Sequence, residues 1–207
     1  MTTTQKGTEK NSFSQISETQ GLVLRRYDIG DADNLLHLIE QNRAQLVREF
    51  APVAGLRNIE NVTSYIIHKR DQWASGTTFC FGIWAKNSPE QIGQIQVKNI
   101  CWEIPMAELG YFIGACWQRK EYGSESVHAI LKMAFQDLRF EKIFVRILPA
   151  NNVSVRMAEK IGFRNEGVQR KAYRCGLGEL HDVRYLGLTS DDYTTICQNR
   201  MQGDVYG

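Results

Sequence analysis

The pattern over residues 106–148 constrains the fold more than any other part of the sequence. Two strand-like runs, 106–113 and 143–148, enclose a stretch whose apolar residues recur at helical spacings. These residues are Val127, Ile130, Leu131, Ala134, Phe135 and Leu138. Two strands joined by one such helix are expected to run parallel, with a right-handed crossover. Because residues 143–148 are apolar apart from Arg146, we predict that this strand is buried on both faces.

Strand-like and helix-like segments also alternate along the rest of the chain. Strands are predicted at 22–26, 78–85, 93–97, 168–174 and 181–188. Helices are predicted around 35–39, capped by Asp31 or Asp33, and at 44–50, 59–74 and 153–161. The spacing of the strands before residue 113 suits antiparallel hairpins.

Residues 1–20 are predicted to be a flexible tail, and residues 21–207 a single domain. The tail contains only two large apolar residues, Phe13 and Ile16, which cannot offset the entropy of ordering it. Its start lacks the apolar core of a signal peptide. No apolar run approaches the roughly 20 residues that span a bilayer. We therefore expect a cytoplasmic protein without a membrane partner.

Charge and cysteine content exclude two further classes of protein. The 25 basic and 23 acidic residues give a net charge of +2, too balanced for a protein held mainly by nucleic-acid phosphates. The five cysteines form no CxxC motif and have no histidine at ligand spacing. They are Cys80, Cys101, Cys116, Cys175 and Cys197. We expect reduced thiols, no metal and no nucleic-acid partner.

The junction between the strand 106–113 and the following helix is a candidate anion site. The first turn of a helix presents unpaired N–H groups and a partial positive charge, so a loop around it can hold a phosphate. Arg119 and Lys120 add positive charge there. A phosphate or pyrophosphate is the natural ligand, and an ordinary strand–helix connection with solvated charges is the alternative.

Residues 107–127, AELGYFIGACWQRKEYGSESV, resemble motif A of the GNAT acetyltransferases. In that family a strand precedes an (Arg/Gln)-x-x-Gly-x-(Gly/Ala) loop that binds the pyrophosphate of acetyl-CoA. Gln118 and Gly123 match the first and last positions, and Ser124 and Glu125 match a frequent Thr-Glu pair. The resemblance implies that backbone N–H groups of this loop hold the cofactor. The loop residues concerned are Gln118, Arg119, Lys120, Glu121, Tyr122, Gly123 and Ser124.

Residues 150–167, ANNVSVRMAEKIGFRNEG, resemble the signature of the RimJ/RimL-like branch of that family. The matching residues are Asn151, Ser154, Glu159, Lys160, Gly162, Phe163, Glu166 and Gly167. The similarity spans roughly residues 21–195. It implies the GNAT fold: an α/β (α+β) domain with a mostly antiparallel mixed sheet of about seven strands and helices on both faces.

One departure from the GNAT pattern affects the loop. The first loop glycine of the family is Glu121 here. A glycine at such a position often supplies a positive φ or a close backbone approach. Glu121 must therefore accept a strained backbone, at a cost on the order of 1–3 kcal/mol, or reshape the loop. Its charge also lies near the expected pyrophosphate, which Arg119 and Lys120 can offset.

The resemblance also implies roles on the neighbouring strands. The strand Tyr111, Phe112 and Ile113 would hydrogen-bond the pantetheine arm, as an added strand does. Ser154 is the first candidate to stabilise the departing thiolate, with Asn151 positioning the cofactor. Helix capping is the alternative role of the Asn-x-x-Ser spacing.

The base that takes a proton from the amine is harder to predict. Glu108 is the leading candidate because many relatives place a catalytic Glu on that strand, and a solvated Glu108 is the alternative. Glu103, or water alone, would also serve. Tyr173 lies beyond the second motif and is a candidate acid or substrate contact, with a core or surface tyrosine as the alternative.

The sequence as a whole predicts an acetyl-CoA-dependent N-acetyltransferase. Its acceptor would be a protein N-terminus, as in the ribosomal-protein enzymes of this branch, or a small primary amine. A catalytically degenerate acyl-CoA-binding module is the alternative that Glu121 motivates. A protein-interaction partner is a third reading, and a homodimer is compatible with this branch.

Overall fold

The structure is a computed structural model that describes residues 15–86 and 88–203. Eight strands form one mixed sheet. They are β1 (Ile16–Glu18), β2 (Leu22–Arg26), β3 (Phe79–Ala85), β4 (Gln91–Cys101), β5 (Met106–Ile113), β6 (Lys142–Ile147), β7 (Arg164–Arg174) and β8 (Leu180–Thr189). Their order across the sheet is β1-β2-β3-β4-β5-β6-β8-β7. The pair β5 and β6 is parallel, and the other neighbours in this sheet are antiparallel.

Six α-helices connect or follow these strands in the described chain. They are α1 (Ala32–Glu49), α2 (Ala51–Ala54), α3 (Ile59–Ala74), α4 (Tyr122–Lys132), α5 (Asn152–Ile161) and α6 (Ser190–Gly203). Asn58 caps α3, because its side chain accepts a hydrogen bond from the Asn61 backbone at 2.9 Å. Among the described residues, no helix is both long enough and apolar enough to cross a membrane.

The sheet separates two groups of buried apolar side chains. Helices α4 and α5 cover one face, where Val127 and Ile130 pack in the same cluster as Ile143 and Val145. Helices α1 to α3 cover part of the other face, with Leu35, Ile39, Ile66, Trp84 and Phe112 in a second cluster. Each fully buried side chain of this size stabilises the fold by about 1.5–3 kcal/mol. The helices thus hold the sheet from both sides, as the sequence predicts.

The strand–helix–strand unit at 106–148 is confirmed, with two differences. The helix α4 runs from Tyr122 and continues as a π-helical turn, Met133–Asp137. The strand β6 is buried on one face only: Ile143, Val145 and Ile147 are buried, while the side chains between them are partly exposed. The prediction of burial on both faces is wrong because helices α1 to α3 do not cover this part of the sheet.

Strand structure begins earlier in the chain than the sequence suggests. Strand β1 lies within the predicted tail and pairs antiparallel with β2, Ile16 opposite Arg25 and Glu18 opposite Val23. The Lys86 ammonium also contacts the Glu18 carboxylate at 3.1 Å. Pairing at a sheet edge uses backbone hydrogen bonds, which a composition argument does not detect. Residues 1–14 of the predicted tail lie outside the described residues.

Two helices differ from the prediction. Residues 44–49 belong to α1 and do not form a separate helix. The helix is interrupted at Phe50, whose φ of −134° is not helical, and α2 begins at the next residue. Helix α6 was not predicted at all. Its apolar residues do not follow a clear helical stripe, so the pattern that indicates α4 is absent there.

Candidate active site

The loop before α4 has the backbone shape that the family's glycines would supply. Arg119 has φ +62° and Glu121 has φ +61°, both in the left-handed region that disfavours residues with a Cβ. The side chain of Glu121 makes no capping hydrogen bond to α4. The first N–H groups of α4 therefore point into an exposed loop whose side chains include Arg119 and Lys120. This end of the helix is suited to an anion.

Contacts at both ends fix this loop in place. The Gln118 amide donates to the Ile113 carbonyl at 3.1 Å. Beyond the loop, the Glu125 carboxylate in the first turn of α4 accepts a hydrogen bond from the Gly21 backbone at 2.7 Å. The Lys120 ammonium lies 4.8 Å from the centre of the Trp117 ring. The loop is thus tied to β5 and to the start of β2.

A slot opens between β5 and β6 next to this loop. The two strands pair only from Met106 to Glu108, opposite Lys142 to Phe144. Further along, Tyr111 and Ile113 remain paired with β4 but no longer with β6. The edge of β5 that faces β6 therefore offers free backbone groups, to which an extended ligand can hydrogen-bond.

Tyr111 lies at this slot with its hydroxyl buried. That hydroxyl has no partner in good hydrogen-bond geometry in the described chain. Burial raises the pKa of Tyr111 to about 12; the nearby Ser154 side chain opposes the rise, and the charge of Glu49 adds to it. Tyr111 is therefore protonated over the physiological range and can donate a hydrogen bond.

Asn151 connects the start of α5 to the end of α1. Its side-chain oxygen accepts from the Ser154 backbone at 3.0 Å, which caps α5. Its amide nitrogen donates to the Glu49 carboxylate at 2.9 Å. Burial raises the pKa of Glu49 above its ordinary value, although hydrogen bonds from Gln45 and Asn151 oppose the shift. Glu49, Asn151, Ser154 and Tyr111 thus form one continuous cluster at the slot, named here the slot cluster.

Tyr173 borders the slot cluster from β7. Its hydroxyl accepts a hydrogen bond from the Ala51 backbone at 3.1 Å. Burial is the main cause that raises the pKa of Tyr173, while the bond from Ala51 lowers it and the charge of Glu49 adds to the rise. The residue is therefore anchored at the α1–α2 junction.

Glu108 lies on the opposite face of β5 from Tyr111, since neighbours along a strand alternate. Its carboxylate contacts the Lys98 ammonium at 3.2 Å and the Arg146 guanidinium at 3.0 Å. It also accepts a hydrogen bond from Asn99 at 2.7 Å. Burial lowers the pKa of Arg146, but Glu108 and Tyr185 raise it by more, so the net pKa of Arg146 is raised. Glu108 is fully engaged in this ion-pair network.

Comparison with known proteins identifies the family. Residues 21–164 match a family model described as an acetyltransferase (GNAT) domain, which covers more than half of the chain. The chain belongs to the GNAT acetyltransferase family. It is therefore an acetyltransferase, and the resemblance drawn from the two sequence motifs is confirmed.

Individual GNAT relatives are similar over most of the chain. An uncharacterised N-acetyltransferase p20 from Bacillus licheniformis is 26% identical over 84% of this chain and 96% of its own length. The ribosomal protein uS5 alanine N-acetyltransferase of Escherichia coli is 28% identical over 58% of this chain and 61% of its own. Among solved structures, RimL, a ribosomal-protein acetyltransferase in complex with coenzyme A, has a TM-score of 0.80 at 20% identity. That match covers 86% of this chain and 99% of the other, and it supports the GNAT fold.

The structure brings together most of the residues that the GNAT motifs single out. Tyr111, Asn151 and Ser154 belong to the slot cluster, and Tyr173 borders it. The Phe112 side chain points away from Tyr111 and packs on Phe50, with ring centres 5.4 Å apart, so only its backbone reaches the slot. Gly123 faces the Met157 sulfur, 3.4 Å from where a Cβ would lie. Glu108 is separated from this group, and its solvated alternative is also not realised because it is buried.

Glu49 is the residue of this site that the sequence did not single out. In the sequence, Glu49 lies near charged residues of both signs, Arg48, Arg57 and Glu60, which indicate no role for it. Its contact with Asn151 joins residues 102 positions apart, which no local spacing reveals. The signal that identifies it is structural: a half-buried carboxylate at an open slot.

A separate cavity of about 420 Å³ lies between the π-helical turn and α6. Its lining includes Phe135, Arg139, Tyr193 and Cys197, and none of its lining residues belongs to the slot cluster. The slot itself is an open cleft between strands, so cavity size does not identify the site in this fold.

Proposed function

We propose that this GNAT enzyme transfers the acetyl group of acetyl-CoA to a primary amine held beside Glu49. The observation that carries the proposal is the slot cluster: a carboxylate, an amide and two hydroxyl groups converge where β5 and β6 separate. The candidate anion-binding loop follows the end of β5 at which this slot opens. This arrangement suits a ligand with a phosphate group and an extended arm.

The residues of this chain fit acetyl-CoA. The left-handed backbone at Arg119 and Glu121 keeps the start of α4 open to a pyrophosphate. The free edge of β5 suits the amide groups of the pantetheine arm. Tyr111 supplies a buried donor without a protein partner at the inner end of the slot. When bound, acetyl-CoA supplies an activated acyl group as a thioester.

Glu49 is the group best placed to take a proton from the attacking amine. An amine must be neutral to attack, and a carboxylate with a raised pKa is a stronger base than an exposed one. Asn151 donates to one Glu49 oxygen, and an ionised carboxylate can accept further hydrogen bonds on both of its oxygens. In this proposal Glu49 is the base, and Glu108, which the sequence predicts for that role, is the alternative.

Tyr111 and Ser154 serve the departing sulfur. Both hydroxyl groups lie on the slot side of the cluster, and the raised pKa of Tyr111 keeps it protonated. A positioned hydroxyl can donate a hydrogen bond or a proton where negative charge develops. Tyr173 then acts on the acceptor side, as a wall of the amine site fixed to Ala51.

The acceptor that we favour is the α-amino group of a protein or peptide. This choice rests on the relatives: the Escherichia coli enzyme is named for an alanine of a ribosomal protein, and RimL for a ribosomal protein as well. A small primary amine is the alternative acceptor. Cytoplasmic location and a homodimer remain proposals of the same kind.

The test is product formation with purified protein and acetyl-CoA. The acceptors are a peptide beginning with alanine, the same peptide with its N-terminus already acetylated, a polyamine and an aminoglycoside. We expect thiol release and a mass gain of one acetyl group on the free peptide only. Product on the small amines alone would show that the acceptor is a small amine and not the N-terminus of a peptide. Binding of acetyl-CoA without product on any acceptor would favour the non-catalytic module.

A further inference from the structure

The turn between β7 and β8 brings together three side chains that can bind a metal. It spans residues 175–179, with the Cys175 N–H donating to the Glu179 carbonyl at 3.0 Å. Gly178 has φ +86°, and its N–H returns to the Cys175 carbonyl at 2.9 Å. The Arg174 guanidinium clamps the turn through the Gly178 carbonyl at 2.7 Å. Cys175, Glu179 and His181 come together across this turn.

The three candidate ligand atoms lie close together, and one distance between them matches that between two ligands of one small ion. The Cys175 sulfur, a Glu179 oxygen and a His181 ring nitrogen all lie within 4.8 Å of one another. The His181 Nε2 is 3.4 Å from the Glu179 carboxylate. Metal–ligand bonds of about 2.0–2.3 Å in a tetrahedron place their ligand atoms roughly 3.3–3.8 Å apart. The Nε2–oxygen distance thus falls in the range of two ligands on one ion.

The surroundings of the three groups also favour a metal. Cys175 is buried, with only 3% of its surface exposed, whereas Glu179 is exposed and gives an ion access from solvent. The His181 Nε2 is shielded from water and makes no hydrogen bond in the described chain. Its contact with Glu179 is too long for a good hydrogen bond. A shielded nitrogen without a hydrogen bond is unfavourable unless another partner is present.

We propose that Cys175, Glu179 and His181 bind a zinc-type divalent cation at the end of this hairpin. A thiolate, an imidazole and a carboxylate are all ligands that zinc accepts, and a water molecule would complete a tetrahedron. The sequence predicts no metal, because Cys175 and His181 are six residues apart and belong to no metal-binding motif. The hairpin turn brings their side chains close together in space.

The site lies next to the acceptor side of the slot cluster. Cys175 directly follows β7 and lies two residues beyond Tyr173. The Gly176 N–H donates to the Val47 carbonyl at 2.7 Å, and Tyr173 bonds to Ala51. The hairpin end is therefore already attached to the α1–α2 junction. A bound ion would fix the turn rigidly and hold Tyr173 against that junction.

The test is titration of tag-free, metal-free full-length protein with Co²⁺, followed by competition with Zn²⁺. We expect one ion per chain, with a thiolate-to-cobalt absorption band that Zn²⁺ removes. His181→Ala should weaken Co²⁺ binding at least about tenfold, the minimum loss seen when even a supporting partner is removed. Glu179→Gln should weaken it as well. Cys116→Ser, which removes an exposed thiol elsewhere, is the matched control and should leave the band unchanged.

Cys175→Ser should abolish the thiolate band, provided that its circular dichroism shows a folded protein. If that variant fails to fold, His181→Ala and Glu179→Gln decide the question, because both change partly exposed residues. Absence of the band in the natural protein would overturn the proposal, as would a band that persists in both of those variants. The readout is spectroscopic, so it is independent of whether acetyl transfer to any acceptor is found.

Discussion

The Asn151 amide donates to the Glu49 carboxylate at 2.9 Å and so joins the start of α5 to the end of α1. Asn151 also caps α5 through its oxygen. One side chain therefore orders the helix that carries Ser154 and orients the carboxylate at the slot. Capping and catalysis, which the sequence left as alternatives for Asn151, are compatible in this geometry.

Glu49→Gln is expected to lower kcat by about 10²–10⁴, the usual contribution of a positioned base. The natural enzyme should lose activity as the pH falls through the raised pKa of Glu49, because the base becomes protonated. The variant should lack this acidic limb. The measurement is kcat/KM against pH for both proteins. The control is Glu40→Gln, which changes an exposed carboxylate on the same helix and should change neither kcat nor the pH dependence of kcat/KM.

The same Glu49→Gln change is expected to leave thermal stability equal or higher at neutral pH. A carboxyl whose pKa is raised on folding stabilises the fold below the pH at which it ionises in the unfolded chain. That contribution is lost as the pH rises through the folded-state pKa. Gln has no charge to bury, so Tm should not fall. A large drop in Tm would mean that Glu49 has a structural role instead.

Tyr111→Phe should reduce kcat with little loss of stability. The hydroxyl that it removes is buried and has no partner in good hydrogen-bond geometry among the described residues, so little bonding is lost; the nearby Ser154 hydroxyl can rotate to another partner. Tyr65→Phe is the matched control: it removes another hydroxyl, one that bonds to Gln94 at 3.2 Å away from the slot. That control should cost about 1 kcal/mol of stability and leave kcat unchanged. The opposite pattern would contradict the role given to Tyr111.

Glu121→Gly should be more stable than Glu121→Ala by about 1 kcal/mol, because only glycine adopts φ +61° without strain. Both variants remove the charge, so comparing them isolates the backbone effect. Thermal unfolding measures the stability difference, and calorimetric titration with acetyl-CoA measures affinity. Equal stability of the two variants would show that the left-handed backbone at Glu121 carries no strain. Equal affinity of all three proteins would show that the Glu121 charge does not reach the ligand.

Glu108→Gln should destabilise the protein by about 1–3 kcal/mol, since Lys98 and Arg146 lose a buried ionic partner. The pH dependence of kcat/KM should keep the acidic limb of the natural enzyme. Chemical denaturation and the pH profile together test this prediction. If Glu108→Gln lost the acidic limb while Glu49→Gln kept it, Glu108 and not Glu49 would be the base.

The parts of the fold that the sequence predicts are those set by local periodicity. The stripe from Val127 to Leu138 identified the helix, and the two flanking apolar runs identified parallel strands. The prediction for residue 121 was also local: Glu in place of a family glycine indicated either a strained backbone or a reshaped loop, and the backbone has the positive φ of the first alternative. The sequence does not predict strand β1 or helix α6. Strand β1 is held by backbone pairing with β2, which composition does not reveal, and α6 lacks a regular apolar stripe.

The site was only partly predictable for a different reason. Motif residues such as Ser154 and Asn151 could be named from the resemblance, but the residue across the slot could not. Glu49 meets Asn151 only because the end of α1 lies beside the start of α5 in the fold. Alternation along β5 allows Glu108 either face, and Lys98 and Arg146 on the neighbouring strands hold its carboxylate on the face opposite Tyr111. Its role as the base stays a prediction.

The bond from the Gly21 backbone to Glu125 bears on how shortened forms of this protein would behave. A protein cut to begin at Gly21 would carry its terminal ammonium beside the Glu125 carboxylate. A hydrogen bond from an uncharged amide to the carboxylate would become an ion pair next to the loop before α4. Affinities for acetyl-CoA measured on such a fragment would include this added charge, and they would depend more strongly on salt than those of the full chain.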